Sequence, residues 1–260
     1  MKIFGAIAWL ILCGSAAAHA DLPAADCGTA GEVFQRYLDA LGGAAAIAHA
    51  QSLLIEAKET EPHTFHPQSM AHQRFRFEWE SQNRILVKRQ YLLSTATVIY
   101  DGVAWSLYNG RVSHNEDATP ELRRKLMALP YNDSPEFQEF RMVADPMLLT
   151  RARELYRALE VAPSAPGQCV LQARGTSEWN GERRDYLVFD AKTGLLRSWR
   201  IQAGQPGQEK YFEFLFGDYR QAGPVLIPYS VDYDFYQASF RLTKVVVNPT
   251  FADADFMARP

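Results

Sequence analysis

Towards the C-terminal end of the chain, apolar and polar side chains alternate with a period of two. In Tyr211–Phe216 the rings of Phe212, Phe214 and Phe216 share one parity. In Leu226–Tyr236, Tyr229, Val231, Tyr233 and Phe235 do the same, with Ser230, Asp232 and Asp234 between them. Ser239–Asn248 is a third segment of this kind. Side chains alternate faces along a strand, so each segment predicts one aromatic and one polar face. Earlier, His72–Glu80 sets Phe75, Phe77 and Trp79 against Arg74, Arg76, Glu78 and Glu80. Leu53–Glu59, Arg84–Leu92, Thr95–Tyr100, Val103–Tyr108, Cys169–Arg174, Arg183–Asp190 and Leu195–Gln202 complete the set. The turn pairs Asp101-Gly102, Asn109-Gly110, Asn180-Gly181 and Thr193-Gly194 predict a meander of antiparallel strands.

Helical spacing is confined to a few places. Thr29–Leu41 carries Val33, Phe34, Tyr37, Leu38 and Leu41 on one stripe, with Thr29 and Glu32 as a capping box. Gly42-Gly43 ends it, and Ala44–His49 adds one or two turns. Thr119–Leu129 begins at a cap followed by proline. Asp145-Pro146 opens a helix expected to run to about Ala158. The helices are not interleaved one per strand, which excludes a parallel βαβ plan. The prediction is an α+β, mainly β chain: a large antiparallel sheet of ten or eleven strands on three or four helices, in a single domain over 21–260.

Residues 1–20 read as a secretory signal peptide. Met1-Lys2 is the basic start, Ile3–Leu12 the apolar segment and Ala18-His19-Ala20 the small-residue cleavage site. A lipidated Cys13 is disfavoured by the bulky Leu12 before it. The expected location is therefore the periplasm, as a soluble protein after cleavage. The whole chain is 47% hydrophobic and 22% charged, ordinary globular composition. Losing Lys2 takes the formal charge from −3 to −4, with no basic stripe, and nucleic acid is not an expected partner. Cys27 and Cys169 then remain. In an oxidising compartment they are most simply a disulfide, the alternative being two buried thiols.

Candidate chemistry is sparse. No nucleophile elbow, phosphate-cradling loop or His-Glu-x-x-His helix occurs. His63, His66 and His72 could supply imidazole ligands, but their spacing matches no established metal site, and Pro62 and Pro67 make the segment a loop. Asp232 and Asp234 could form a carboxylate site, although such residues usually form the wet side of a strand. Arg74 and Arg76 read the same way. No cofactor and no catalytic residue is expected. An enzyme using the histidine loop or the Asp232/Asp234 face is the alternative reading.

Aromatic residues are the abundant feature, with 15 Phe, 12 Tyr and 5 Trp. Few helices face a long aromatic sheet, so a curled and incompletely closed sheet should leave an apolar hollow. The expected lining is Phe75, Phe77, Trp79, Trp105, Phe212, Phe214, Phe216, Tyr233 and Phe235.

The segment Tyr37-Leu38-Asp39-Ala40-Leu41-Gly42-Gly43, followed by Ser52-Leu53, resembles the opening of exported bacterial proteins of the outer-membrane lipoprotein-carrier (LolA/LolB-like) superfamily. The C-terminal part is similar too: Phe189-Asp190, Thr193-Gly194-Leu195, Asp218-Tyr219-Arg220, Ile227-Pro228-Tyr229, Val247-Asn248-Pro249 and Asp255-Phe256. The resemblance implies an open half-barrel whose apolar cavity accepts acyl chains in the periplasm, without catalytic residues. It implies a lipid or lipoprotein ligand and leaves room for an envelope membrane-protein partner. A monomer is expected.

Overall fold

Among the described residues thirteen strands join in one antiparallel sheet. The computed structural model describes residues 27–60, 72–80, 84–90, 95–100, 105–109, 112–114, 148–152, 156–175, 183–203, 210–234 and 238–257. In chain order the strands are β1 (Ser52–Thr60), β2 (His72–Glu80), β3 (Arg84–Gln90), β4 (Thr95–Tyr100), β5 (Trp105–Asn109), β6 (Val112–His114), β7 (Ala158–Ala162), β8 (Gln168–Gly175), β9 (Arg183–Asp190), β10 (Leu196–Ala203), β11 (Lys210–Ala222), β12 (Val225–Tyr233) and β13 (Ala238–Val247). Across the sheet the order is β6-β5-β4-β3-β2-β1-β13-β12-β11-β10-β9-β8-β7. Two meanders, β1 to β6 and β7 to β13, therefore meet along a single seam where β1 pairs with β13. The seam runs from Leu53 opposite Val247 to Thr60 opposite Ser239, with a bulge between Glu56 and Ala57. The sheet is curved and does not close, as the resemblance implied.

Helix α1 (Ala30–Ala40) lies on the concave face. Its capping box is present: the Glu32 amide donates to Thr29 Oγ1, and the Thr29 amide and hydroxyl both donate to the Glu32 carboxylate. These bonds hold the Glu32 carboxyl below its ordinary pKa, the Thr29 amide contributing most. Val33, Phe34 and Tyr37 are buried, and the Tyr37 ring lies 5.3 Å from that of Phe189 on β9. Helix α2 (Gly43–His49) follows after Gly42, whose φ of 118° suits glycine. Among the described residues no helix is long and apolar enough to cross a membrane.

Cys27 is bonded to Cys169 with Cα atoms 5.6 Å apart, fastening the segment before α1 to β8. At the other end of the chain a 3-10 turn, Asp253–Phe256, lies on the convex face. There Phe256 packs with Phe251, Leu86 and Ile99 in a small separate cluster. Arg84 spans this cluster, pairing with Glu80 and Asp253 and lying 4.8 Å over the Phe256 ring.

Two strands appear beyond those expected, β6 and β7. The helix expected from Asp145 to about Ala158 is described only in part: Leu148–Arg151 is a 3-10 turn, Ala152 is helical and accepts the Tyr156 amide at 2.9 Å, and the expected end is corrected because Ala158 begins β7. From Arg157 the chain is extended, because Arg157 donates its amide to Arg174 O of β8 and starts a strand ladder. The expected helix Thr119–Leu129 and the signal peptide lie outside the described residues.

Candidate ligand-binding face

The concave face carries an aromatic wall that crosses the seam. Parity puts Phe75 and Phe77 (β2), Phe240 (β13), Tyr233 (β12), Phe214 (β11) and Trp199 (β10) on this one side. Phe75 stacks on Phe77 with centroids 5.5 Å apart, and meets Phe240 edge-on at 5.3 Å. Phe214 and Tyr233 stack in parallel at 4.4 Å, and Trp199 lies 6.3 Å beyond. Offset and edge-to-face pairs of this kind each add about 1 kcal/mol beyond the area they bury.

Four of the residues expected to line a hollow, Phe75, Phe77, Phe214 and Tyr233, are buried within this wall. Trp79, Phe212 and Phe216 are half-buried against it. Trp105 begins β5 and pairs with Tyr100, while Phe235 lies outside the described residues. Thus the structure gathers Phe75, Phe77, Trp79, Phe212, Phe214, Phe216 and Tyr233 on one face.

Charged groups interrupt the wall. Asp185 on β9 is fully buried and accepts five hydrogen bonds. They come from Arg183 Nε (2.9 Å) and Nη2 (2.5 Å), Tyr156 Oη (2.8 Å), Trp199 Nε1 (3.3 Å) and the Gln202 amide (3.1 Å). Arg183 is equally buried. Burial of such an ion pair is tolerable only when further hydrogen bonds complete it, which Tyr156 and Trp199 do here. Tyr156 thereby ties the segment after the 3-10 turn to the sheet. Glu59 on β1 is also wholly buried, on the parity of Leu53, Ile55 and Ala57. Sequence reasoning singles out neither Arg183 nor Asp185, and sets Glu59 only beside the histidine loop. The signal was present, since Arg183 and Asp185 share the parity of Leu187 and Phe189. Nearer α1, burial pushes the Tyr219 hydroxyl well above its ordinary pKa, with Tyr37 adding to the effect, so it stays a donor to Leu196 O at 2.7 Å.

Asp232 and Asp234 do not converge on a carboxylate site. Asp232 accepts from Ser239 and Arg241, both at 2.7 Å, and Asp234 accepts the Glu213 amide at 2.8 Å. These are the ladder contacts of a polar strand face. Asp253 and Asp255 are likewise engaged, with Arg84 and with the Ala252 amide. His63 and His66 lie outside the described residues, and His72 begins β2. Among the described residues no group of three metal-ligating side chains assembles.

Two hollows lined by described residues open on the convex face. One, of about 510 Å³, lies among Pro163, Val170, Tyr186, Val188, Arg200 and Tyr211. The other, of about 460 Å³, lies over the seam bulge among basic side chains.

No protein-family model and no curated protein sequence matches the chain. Solved structures do. A LolA superfamily protein from Nitrosomonas europaea superposes with a TM-score of 0.57 at 7% identity, covering 89% of this chain and 98% of that one. A DUF1329 family protein from Desulfovibrio piger gives 0.52 at 8% identity, covering 88% and 97%. A protein described as an outer-membrane lipoprotein-sorting domain, from Vibrio parahaemolyticus, gives 0.50 at 10% identity, covering 87% and 97%. Identity this low carries the fold and nothing more. The fold of this chain is that of the LolA superfamily.

Proposed function

We propose that the protein is an exported, periplasmic binding protein or carrier that holds the acyl chain of a lipid or lipoprotein against its concave face. The observation that carries this reading is the aromatic wall spanning β2 to β10, edged by the half-buried rings of Trp79, Phe212 and Phe216. The fully buried rings give the wall its rigidity, and the half-buried ones keep surface for a ligand. An apolar face of this kind suits ligands whose recognition is mostly burial of hydrocarbon, at about 0.8 kcal/mol per methylene. Asp232 and Asp234 are engaged in strand contacts, so the reading assigns them no catalytic part. The acyl ligand, rather than a substrate to be transformed, is the partner proposed.

Mass spectrometry of lipid extracted from gently purified protein should find acyl chains in stoichiometric amount, and a fluorescent fatty-acid probe should be taken up and displaced by diacyl lipid. Phe212→Asp with Phe216→Asp puts charge where hydrocarbon would lie, and should weaken uptake at least about tenfold while unfolding stays cooperative. A lipid-free extract together with no probe uptake overturns the reading.

A further inference from the structure

The convex face over the seam concentrates positive charge in a chain whose formal charge is −3. Two cross-strand rows carry it. In one, Arg241 on β13 stands opposite Lys58 on β1, which stands opposite Arg74 on β2. In the next, Lys244 faces Glu56, Glu56 faces Arg76, and Arg76 faces Lys88 on β3. Directly opposed side chains have Cβ atoms only about 5 Å apart, and like charges so placed destabilise a sheet. Glu56 partly offsets Arg76 and Lys244, Glu78 pairs with Arg76, and Asp232 pairs with Arg241. No carboxylate among the described residues pairs with Lys58, Arg74 or Lys88, and all three border the 460 Å³ hollow above the bulge.

An arrangement that costs the sheet stability, yet stacks unpaired cations around an open hollow, fits an anionic partner. Its shape narrows the partner. The cations form a two-dimensional array over β13, β1, β2 and β3, all interior strands, so no free backbone edge is offered to an extended peptide. A plane of phosphate groups matches such an array, and the arginines offer forked donors to phosphate oxygens. We propose that this face docks the protein on a bilayer whose headgroups carry phosphate anions, with Lys58, Arg74 and Lys88 making the principal contacts. Docking on this side leaves the concave face turned away from the headgroups. The proposal stands whether or not that face takes an acyl chain.

The test is cosedimentation of the full chain with phosphatidylcholine vesicles, with and without phosphatidylglycerol. Wild type should sediment only with the anionic vesicles, and less as salt rises. Lys58→Gln combined with Arg74→Gln and Lys88→Gln should weaken binding about a hundredfold, from about fivefold per charge. Lys192→Gln, on an exposed turn, should leave it unchanged. Because it relieves like-charge contacts, the triple variant should unfold at the same or higher denaturant, which separates lost docking from lost fold. The idea is overturned if wild type ignores anionic vesicles at low salt, or if the triple variant sediments as wild type does. Calorimetric binding of inorganic phosphate or polyglutamate without vesicle binding also overturns it, in favour of a soluble anion or an acidic chain.

Discussion

Asp185 and Arg183 sit where the strand pattern asks for hydrocarbon, and their pairing makes that tolerable. Asp185→Ala would leave a buried guanidinium without its carboxylate and strip acceptors from Tyr156 and Trp199. Loss of one partner of a buried pair costs about 3–5 kcal/mol, and urea denaturation should show the unfolding free energy lowered by that amount. Nearer the surface, Asp190 gives stability a dependence on pH. The Thr193 amide above all, then the Thr193 hydroxyl and the Lys192 amide, with Arg197 nearby, hold its carboxyl below the ordinary value, against the opposing effect of burial. A carboxylate depressed in the folded state stabilises fully above its unfolded pKa, about 4, and loses that contribution as pH falls through the folded value. The stability gap between wild type and Asp190→Asn should therefore be constant near neutrality and shrink below about pH 4. What sequence could give at this scale was parity. It placed Phe75, Phe77, Phe214 and Tyr233 on one face, and it also placed Arg183, Asp185 and Glu59 there. A reading that expects charge to face water misses the buried Arg183–Asp185 pair, because the groups that complete it, Tyr156, Trp199 and the Gln202 amide, lie outside its own strand.

Among the elements, the disulfide does the most for its size. It closes a separation of 142 residues between the segment before α1 and β8. Chain-entropy reasoning gives such a loop an upper figure of about 4–5 kcal/mol. Cys27→Ser with Cys169→Ser should lower the chemical denaturation midpoint accordingly, and reducing agent should lower the wild-type midpoint to match. Elements with strong local signals were legible: α1 from its capping box, and the Asp190–Leu195 turn from Thr193-Gly194. Short β7 was not, since Leu155, Tyr156 and Leu159 extend a helical stripe. Only pairing with β8 decides that Ala158 is extended. The C-terminal 3-10 turn gave no sign of its place either. Phe251 and Phe256 find Leu86 and Ile99 on the convex side, which no local pattern announces.

For the whole molecule, the seam between β1 and β13 is what makes two meanders one sheet. A chain ending after Tyr233 would remove Phe240 and Leu242 from the core and leave both β1 and β12 as raw edges. Such a truncation should lose near-ultraviolet circular dichroism and unfold without a cooperative transition. The overall plan was legible from alternation and turn residues, and the resemblance supplied the open half-barrel. The seam itself was not, because no local rule pairs a strand with one nearly two hundred residues later. Its consequence reaches back to synthesis. Since β13 follows every other described strand, the two meanders cannot be joined into one sheet until it has emerged from the ribosome.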